Sequence, residues 1–85
     1  MMKNKVLINL YVPSLDEEYN IYIPVNETIN KVLELIVKSV FELSDSYFDI
    51  NTNHYLYDPQ ESKMYNISSI VRDTNIENGK KIILT

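Results

Sequence analysis

Val6, Ile8, Leu10 and Val12 fall on one side of an extended chain, and Leu7, Asn9 and Tyr11 fall on the other. That alternation predicts a strand, with Asn9 marking the side away from the core. Pro13-Ser-Leu-Asp16 supplies a turn. Tyr19, Ile21 and Ile23 then alternate with Asn20 and Tyr22, which predicts a second strand antiparallel to the first. Pro24 ends it, because proline has no N–H to give to a ladder.

The period then changes. Ile29, Val32, Leu33, Ile36, Val37, Val40, Phe41 and Leu43 recur at the three-and-four spacing of one buried helix face, while Leu35 falls off the stripe. Thr28 stands where an N-cap belongs, although Lys31 occupies the place of a capping-box Glu. The β-branched residues each cost a few tenths of a kcal/mol by propensity, so packing of the stripe on a sheet must supply the stability. Ser44-Asp-Ser46 stops the helix with side chains that compete for backbone hydrogen bonds, and a polar loop runs on to Asn53.

His54–Tyr57 reads as a short strand, Asp58-Pro-Gln-Glu-Ser62 as a turn and Lys63-Met-Tyr65 as a very short returning strand. A connection follows from Asn66 to Asn75, anchored by Ile67 or Ile70 and then by Ile76. Asn78-Gly79, which holds the chain's only glycine, supplies a left-handed turn into a last strand, Lys80–Leu84. With no repeat, linker or low-complexity stretch, residues 1–85 are expected to form one domain.

Composition narrows the function classes. At 45% hydrophobic and 24% charged, the chain has the apolar content of a globular fold. It holds no cysteine, which removes disulfides, thiolate metal sites and thiol catalysis. The net charge is −4 and the 8 basic residues are scattered, so nucleic acid is not an expected partner. Asp16-Glu17-Glu18, the nearest thing to a charge cluster, reads as a solvated hairpin turn. Asn9 and Pro13 break the first apolar run far short of a membrane span or secretory core, so no membrane insertion and a cytoplasmic location are expected.

Strand, hairpin, Thr-capped helix, short strands, long connection and last strand form an order that resembles ubiquitin. Thr28-Ile29 with Val32 and Ile36 looks like the start of its helix, Tyr55-Leu56-Tyr57 like its third strand, and Ser69-Ile70 through Ile76 to Ile82 and Leu84 like its closing segment. Asn75-Ile76-Glu77-Asn78-Gly79 before an apolar strand is also similar to the ending of the small bacterial ubiquitin-like proteins of the YukD and EsaB type, which accompany type VII secretion systems. Where that family has an acidic residue after the turn glycine, this chain has Lys80-Lys81. The resemblance implies an α+β, ubiquitin-like β-grasp: a mixed sheet of four or five strands with one main helix on one face. Its last strand is expected at the centre, parallel to the first and beside the third. Because the chain closes on Leu84-Thr85, the glycine tail that conjugation or sulfur transfer needs is not expected.

That arrangement leaves one sheet face open, and alternation assigns Leu7, Tyr11, Tyr22 and Ile83 to it. Leu56 joins them if Tyr55 and Tyr57 point inward. In the opposite phase Leu56 is core and both tyrosines stand outward. Either way the face is one contiguous apolar and aromatic strip of the kind that marks a protein partner site, with His54 beside it.

Other chemistry is thin. His54, the sole histidine, has no nucleophile or carboxylate in an evident arrangement and reads as a surface residue. Asp49, Asn51 and Asn53 alternate as in a calcium loop, but His54 replaces the required glycine and Gln60 the bidentate glutamate, so no metal or cofactor is expected. The sequence therefore predicts a non-catalytic module that binds a protein through its open face, in a secretion context a membrane-embedded component, as a monomer or weak homodimer. The strand Tyr19–Ile23 offers a second docking route by strand addition. The competing readings are a symmetric assembly protein and a modifier or sulfur carrier made as a longer precursor.

Overall fold

The computed structural model describes residues 4–85. Met1 to Lys3, which opened the stretch read above as lacking a secretory core, lie outside the described residues. The elements follow in the order β1 (Lys5–Val12), β2 (Glu17–Pro24), α1 (Ile29–Leu43), β3 (Leu56–Asp58), β4 (Lys63–Met64), a 3-10 turn (Val71–Asp73) and β5 (Lys81–Leu84). They form a 5-stranded sheet in the order β2-β1-β5-β3-β4. β5 runs parallel to β1, and every other pairing is antiparallel.

The core lies between α1 and one sheet face. Ile8, Leu10 and Val12 of β1, Ile23 of β2, Leu56 of β3, and Ile82 and Leu84 of β5 meet Ile29, Val32, Ile36 and Val40 of the helix, all buried. Alternation in β1 therefore points as the sequence predicts, and the helix stripe is the predicted one up to Val40. Leu43, at its far end, is exposed. The helix starts where Thr28 Oγ1 accepts the Lys31 N–H at 3.2 Å. It stops without a glycine: Asp45 and Ser46 take φ of 53° and 69° while Ser46 N–H still reaches Phe41 O at 2.8 Å.

Several boundaries move. The second strand begins at Glu17 rather than Tyr19, so Glu17 and Glu18, read as part of the hairpin turn, are paired with Val12 and Tyr11, and the third strand runs on to Asp58 rather than stopping at Tyr57. The third strand begins at Leu56 rather than His54, the fourth ends at Met64 rather than Tyr65, and the last begins at Lys81 rather than Lys80. In the connection the fully buried anchor is Val71, followed by Ile76 as expected, whereas Ile67 is exposed and Ile70 half-buried. The reason is a strap. Val71 N–H bonds to Glu27 O and Arg72 N–H to Val25 O, so Val71 is drawn beneath the segment that enters the helix. Phe48, in the loop read as polar, is buried as well: its N–H donates to Ser44 Oγ at 3.1 Å and its ring lies 4.6 Å from that of His54.

Gly79 takes φ of 86°, as the predicted left-handed turn requires. Beside it Asn78 Oδ1 accepts the Leu7 N–H at 2.8 Å, and Gly79 N–H donates to Leu7 O at 2.8 Å. These two bonds fix how far β5 slides along β1, and so which side chains stand next to one another on the uncovered face.

Candidate protein-interaction face

Residues paired across strands project to the same side of a sheet. The register pairs Glu18 with Tyr11, Tyr11 with Ile83, Ile83 with Tyr57, and Tyr57 with Met64. Because Leu10, Val12, Leu56, Ile82 and Leu84 fill the helix side, this row lies on the face that the helix leaves open. It crosses all five strands. Tyr11, Ile83 and Tyr57 are half-buried and Met64 is exposed. At a strand spacing of about 4.8 Å the row is roughly 19 Å long.

The next row along the strands is polar: Asn20 pairs with Asn9, and Asn9 with Lys81. Asn9 Nδ2 reaches Asn20 Oδ1 at 3.4 Å, and Asn9 Oδ1 has no hydrogen-bond partner among the described residues. Beyond it Leu7 pairs with Tyr22. Leu7, Tyr11, Tyr22 and Ile83 thus share the open face, but the single contiguous strip expected from the sequence is two apolar patches separated by an amide-lysine row.

Leu56 is a correction. It is 2% exposed and faces the helix, because its register partner Leu84 does so too. Tyr57 takes its place outside, and Met64 joins from an edge strand too short for periodicity to orient. Tyr55, also exposed, is tied to Thr85 by backbone bonds of 2.9 and 3.0 Å.

His54 stands off the row. Its Nε2 lies 2.6 Å from Asp49 O and its Nδ1 3.3 Å from Thr85 O, so the ring pins the loop after the helix against the end of β5. Here stacking on Phe48 makes the imidazole a packing element. The Asp49 to Asn53 stretch is closed locally, with Asp49 Oδ1 accepting the Asn51 N–H at 2.8 Å. Among the described residues no group of three or more His, Cys, Asp or Glu side chains could hold a metal ion.

Electrostatics divide the surface. At the hairpin, Tyr11 hydroxyl donates to Asp16 Oδ1 at 2.9 Å, and that bond holds the phenol pKa above its ordinary value. At the far end of β3, Asp58 is buried and ion-paired to Lys80 at 2.9 Å, with Asn75 Nδ2 donating to its other oxygen at 2.6 Å. Burial pushes its carboxyl up, but Asn75, Lys80 and the backbone N–H groups of Gln60 and Glu61 outweigh that and hold it at about 2. Tyr65 donates to Asn75 Oδ1 at 2.8 Å, and burial and the Asp58 charge raise its phenol pKa. Lys80, the basic residue standing where the resembled family is acidic, is thus the internal counter-ion of a buried aspartate. A second concavity, between α1 and the loop before β3, is lined by Leu33, Val37, Ile50, Tyr55 and Ile67.

No protein-family model matches the sequence, and no curated protein matches it. Solved structures do. The ubiquitin-like domain of the Mycobacterium tuberculosis type VII secretion system protein ECCD1 superposes with a TM-score of 0.75 at 10% identity, over 94% of this chain and 96% of that one. A chain of the MycP5-free ESX-5 inner membrane complex matches with a TM-score of 0.70 at 8% identity over 96% of this chain, which spans only 21% of that one. A chain of the toluene 4-monooxygenase HD complex matches equally well, with a TM-score of 0.74 at 6% identity over 94% of this chain and 95% of that one. Identities this low carry architecture and not activity. In fold the chain is a ubiquitin-like β-grasp, similar to the ubiquitin-like domains of type VII secretion proteins.

Proposed function

We propose that this chain is a non-catalytic protein-interaction module, an accessory or regulatory component of a bacterial type VII secretion system that works on the cytoplasmic side and binds a protein partner through its open sheet face. The observation that carries this reading is the apolar and aromatic row Tyr11, Ile83, Tyr57 and Met64, continuous across four strands on the one face no helix covers. Aromatic residues fixed on a rigid sheet give large contact area at little entropic cost, which is what the centre of an interface needs. The secretion context is supported by the fold shared with the ECCD1 domain. In that context the expected partner is a membrane-embedded component, a reading supported by the fold shared with a chain of the ESX-5 inner membrane complex.

Tyr57→Arg combined with Ile83→Arg tests the reading by titration against the cytoplasmic parts of the proteins encoded beside it. Both sites are only half-buried, and an arginine stem can lie along the sheet with its head in water. The melting temperature should therefore stay within a few degrees of wild type. Losing two central anchors should cost about 2 kcal/mol or more, roughly 30-fold in Kd. Undiminished binding by a folded double variant would remove the face from the interface.

A further inference from the structure

The two ends of the row differ chemically, and that difference specifies the partner. Building on the open face as a partner site, we propose that it takes up a segment about 19 Å long, apolar or aromatic along most of its length, with Lys or Arg at the end that meets the hairpin. At that end Asp16 and Glu18 share one shallow concavity with Tyr11, Lys81 and Ile83, whereas Glu17, paired with the buried Val12, belongs to the helix side. Asp16 is turned toward the face by a left-handed φ of 51° and held there by the Tyr11 hydroxyl at 2.9 Å. Among the described residues the ion pairs are Lys31 with Glu34 and Lys80 with Asp58, so neither Asp16 nor Glu18 has an internal counter-ion. Lys81 is the one cation in that concavity, which leaves it with an excess of negative charge.

From Glu18 the row passes directly to Tyr11, Ile83, Tyr57 and Met64, side chains that offer contact area with no formal charge. A cation placed over the hairpin end meets carboxylates and the face of Tyr11 together. An acidic segment in the same place meets repulsion. The span corresponds to about six residues of extended chain, or about thirteen of helix.

Selection of a random dodecapeptide library on the immobilised protein tests this, with each enriched peptide titrated against wild type, Ile83→Arg and Glu18→Lys. Asp16 is left in place because it positions Tyr11. The expected peptides combine Lys or Arg with Leu, Ile, Phe or Trp, lose binding on Ile83→Arg and weaken about fivefold on Glu18→Lys. Their wild-type affinity should fall at least threefold between about 0.05 and 0.5 M salt, as screening predicts for exposed charges. Apolar or acidic peptides that need Ile83 but ignore Glu18 would overturn the charge assignment and leave the open face standing as a site. Peptides indifferent to Ile83→Arg, no enrichment from a folded protein, or a stable dimer by light scattering that Ile83→Arg dissolves would overturn the proposed occupant altogether. Melting curves establish that both variants are folded, Glu18 being an exposed hairpin residue.

Discussion

At Asp58 the chain does something costly: it buries a carboxylate to 2% exposure and must then satisfy it. The Lys80 ammonium and Gln60 N–H, each at 2.9 Å, and the Asn75 amide at 2.6 Å do so. Lys80 also donates to Gln60 Oε1 at 2.8 Å, so the cation is as well held as the anion. Lys80→Met leaves the carboxylate buried without its cation and should destabilise the fold by about 3 kcal/mol in urea titrations at pH 7. The pair also sets a pH dependence. Its folded carboxyl pKa, about 2, lies below the ordinary 3.8, so its contribution is complete above about pH 4 and is lost as pH falls from there toward 2. Asp58→Asn should flatten the stability profile in that window relative to wild type. An unchanged acid slope would mean that other carboxylates carry it. Nothing in the run Tyr57-Asp58-Pro59 signals burial, because an aspartate before a proline reads as a turn, and only the return of β5 brings Lys80 against it.

The elements differ in how far the sequence determines them, and length is the physical reason. β1 and β2 are each 8 residues long and alternate over most of that length, and α1 carries a stripe of buried Ile29, Val32, Ile36 and Val40 behind a Thr cap, so one mis-set residue cannot overturn the pattern. β3 has 3 residues. Within Tyr55-Leu56-Tyr57 the apolar character is nearly equal in either phase, and local pattern cannot choose between them. The choice is made by pairing: Leu56 stands opposite Leu84, whose neighbour Ile82 stands opposite Leu10 in the core. Two alanine substitutions separate the phases. Leu56→Ala should cost about 2–5 kcal/mol by cavity formation under the helix. Tyr57→Ala should cost about 1 kcal/mol or less, the scale of a cross-strand pair, while weakening partner binding. Thermal unfolding of the two variants checks this, and the reverse order of costs would restore the phase in which Leu56 faces out. Phe48 and Val71 escaped for a related reason: each is a lone anchor in irregular backbone, where no period marks it.

For the whole molecule, the decisive feature is that the sheet's middle strand is the last one made. β5 pairs Lys81 with Asn9, Ile82 with Leu10 and Ile83 with Tyr11 on one side, and meets β3 on the other. Without it, the β1–β2 hairpin and the β3–β4 pair share no ladder, and the helix loses Ile82 and Leu84 from the surface it covers. Isolated two-stranded units are marginal in water, so a chain ending at Lys80 should lose its cooperative melting transition and its amide proton dispersion. A truncated chain that still melts cooperatively would show that the hairpin and helix suffice. Contacts spanning most of the chain also make the loop-closure cost of the final pairing large, so folding should be limited by the docking of β5. The same strand presents Ile83 between Tyr11 and Tyr57, which makes the proposed binding face a product of completed folding: no hairpin or fragment assembles the row. Alternation along β5 nonetheless keeps the two roles apart, since Ile82 and Leu84 hold the helix while Ile83 lies on the open face proposed to meet a partner. Substitution at Ile83 therefore tests binding, whereas truncation or changes at Ile82 and Leu84 report only on the fold.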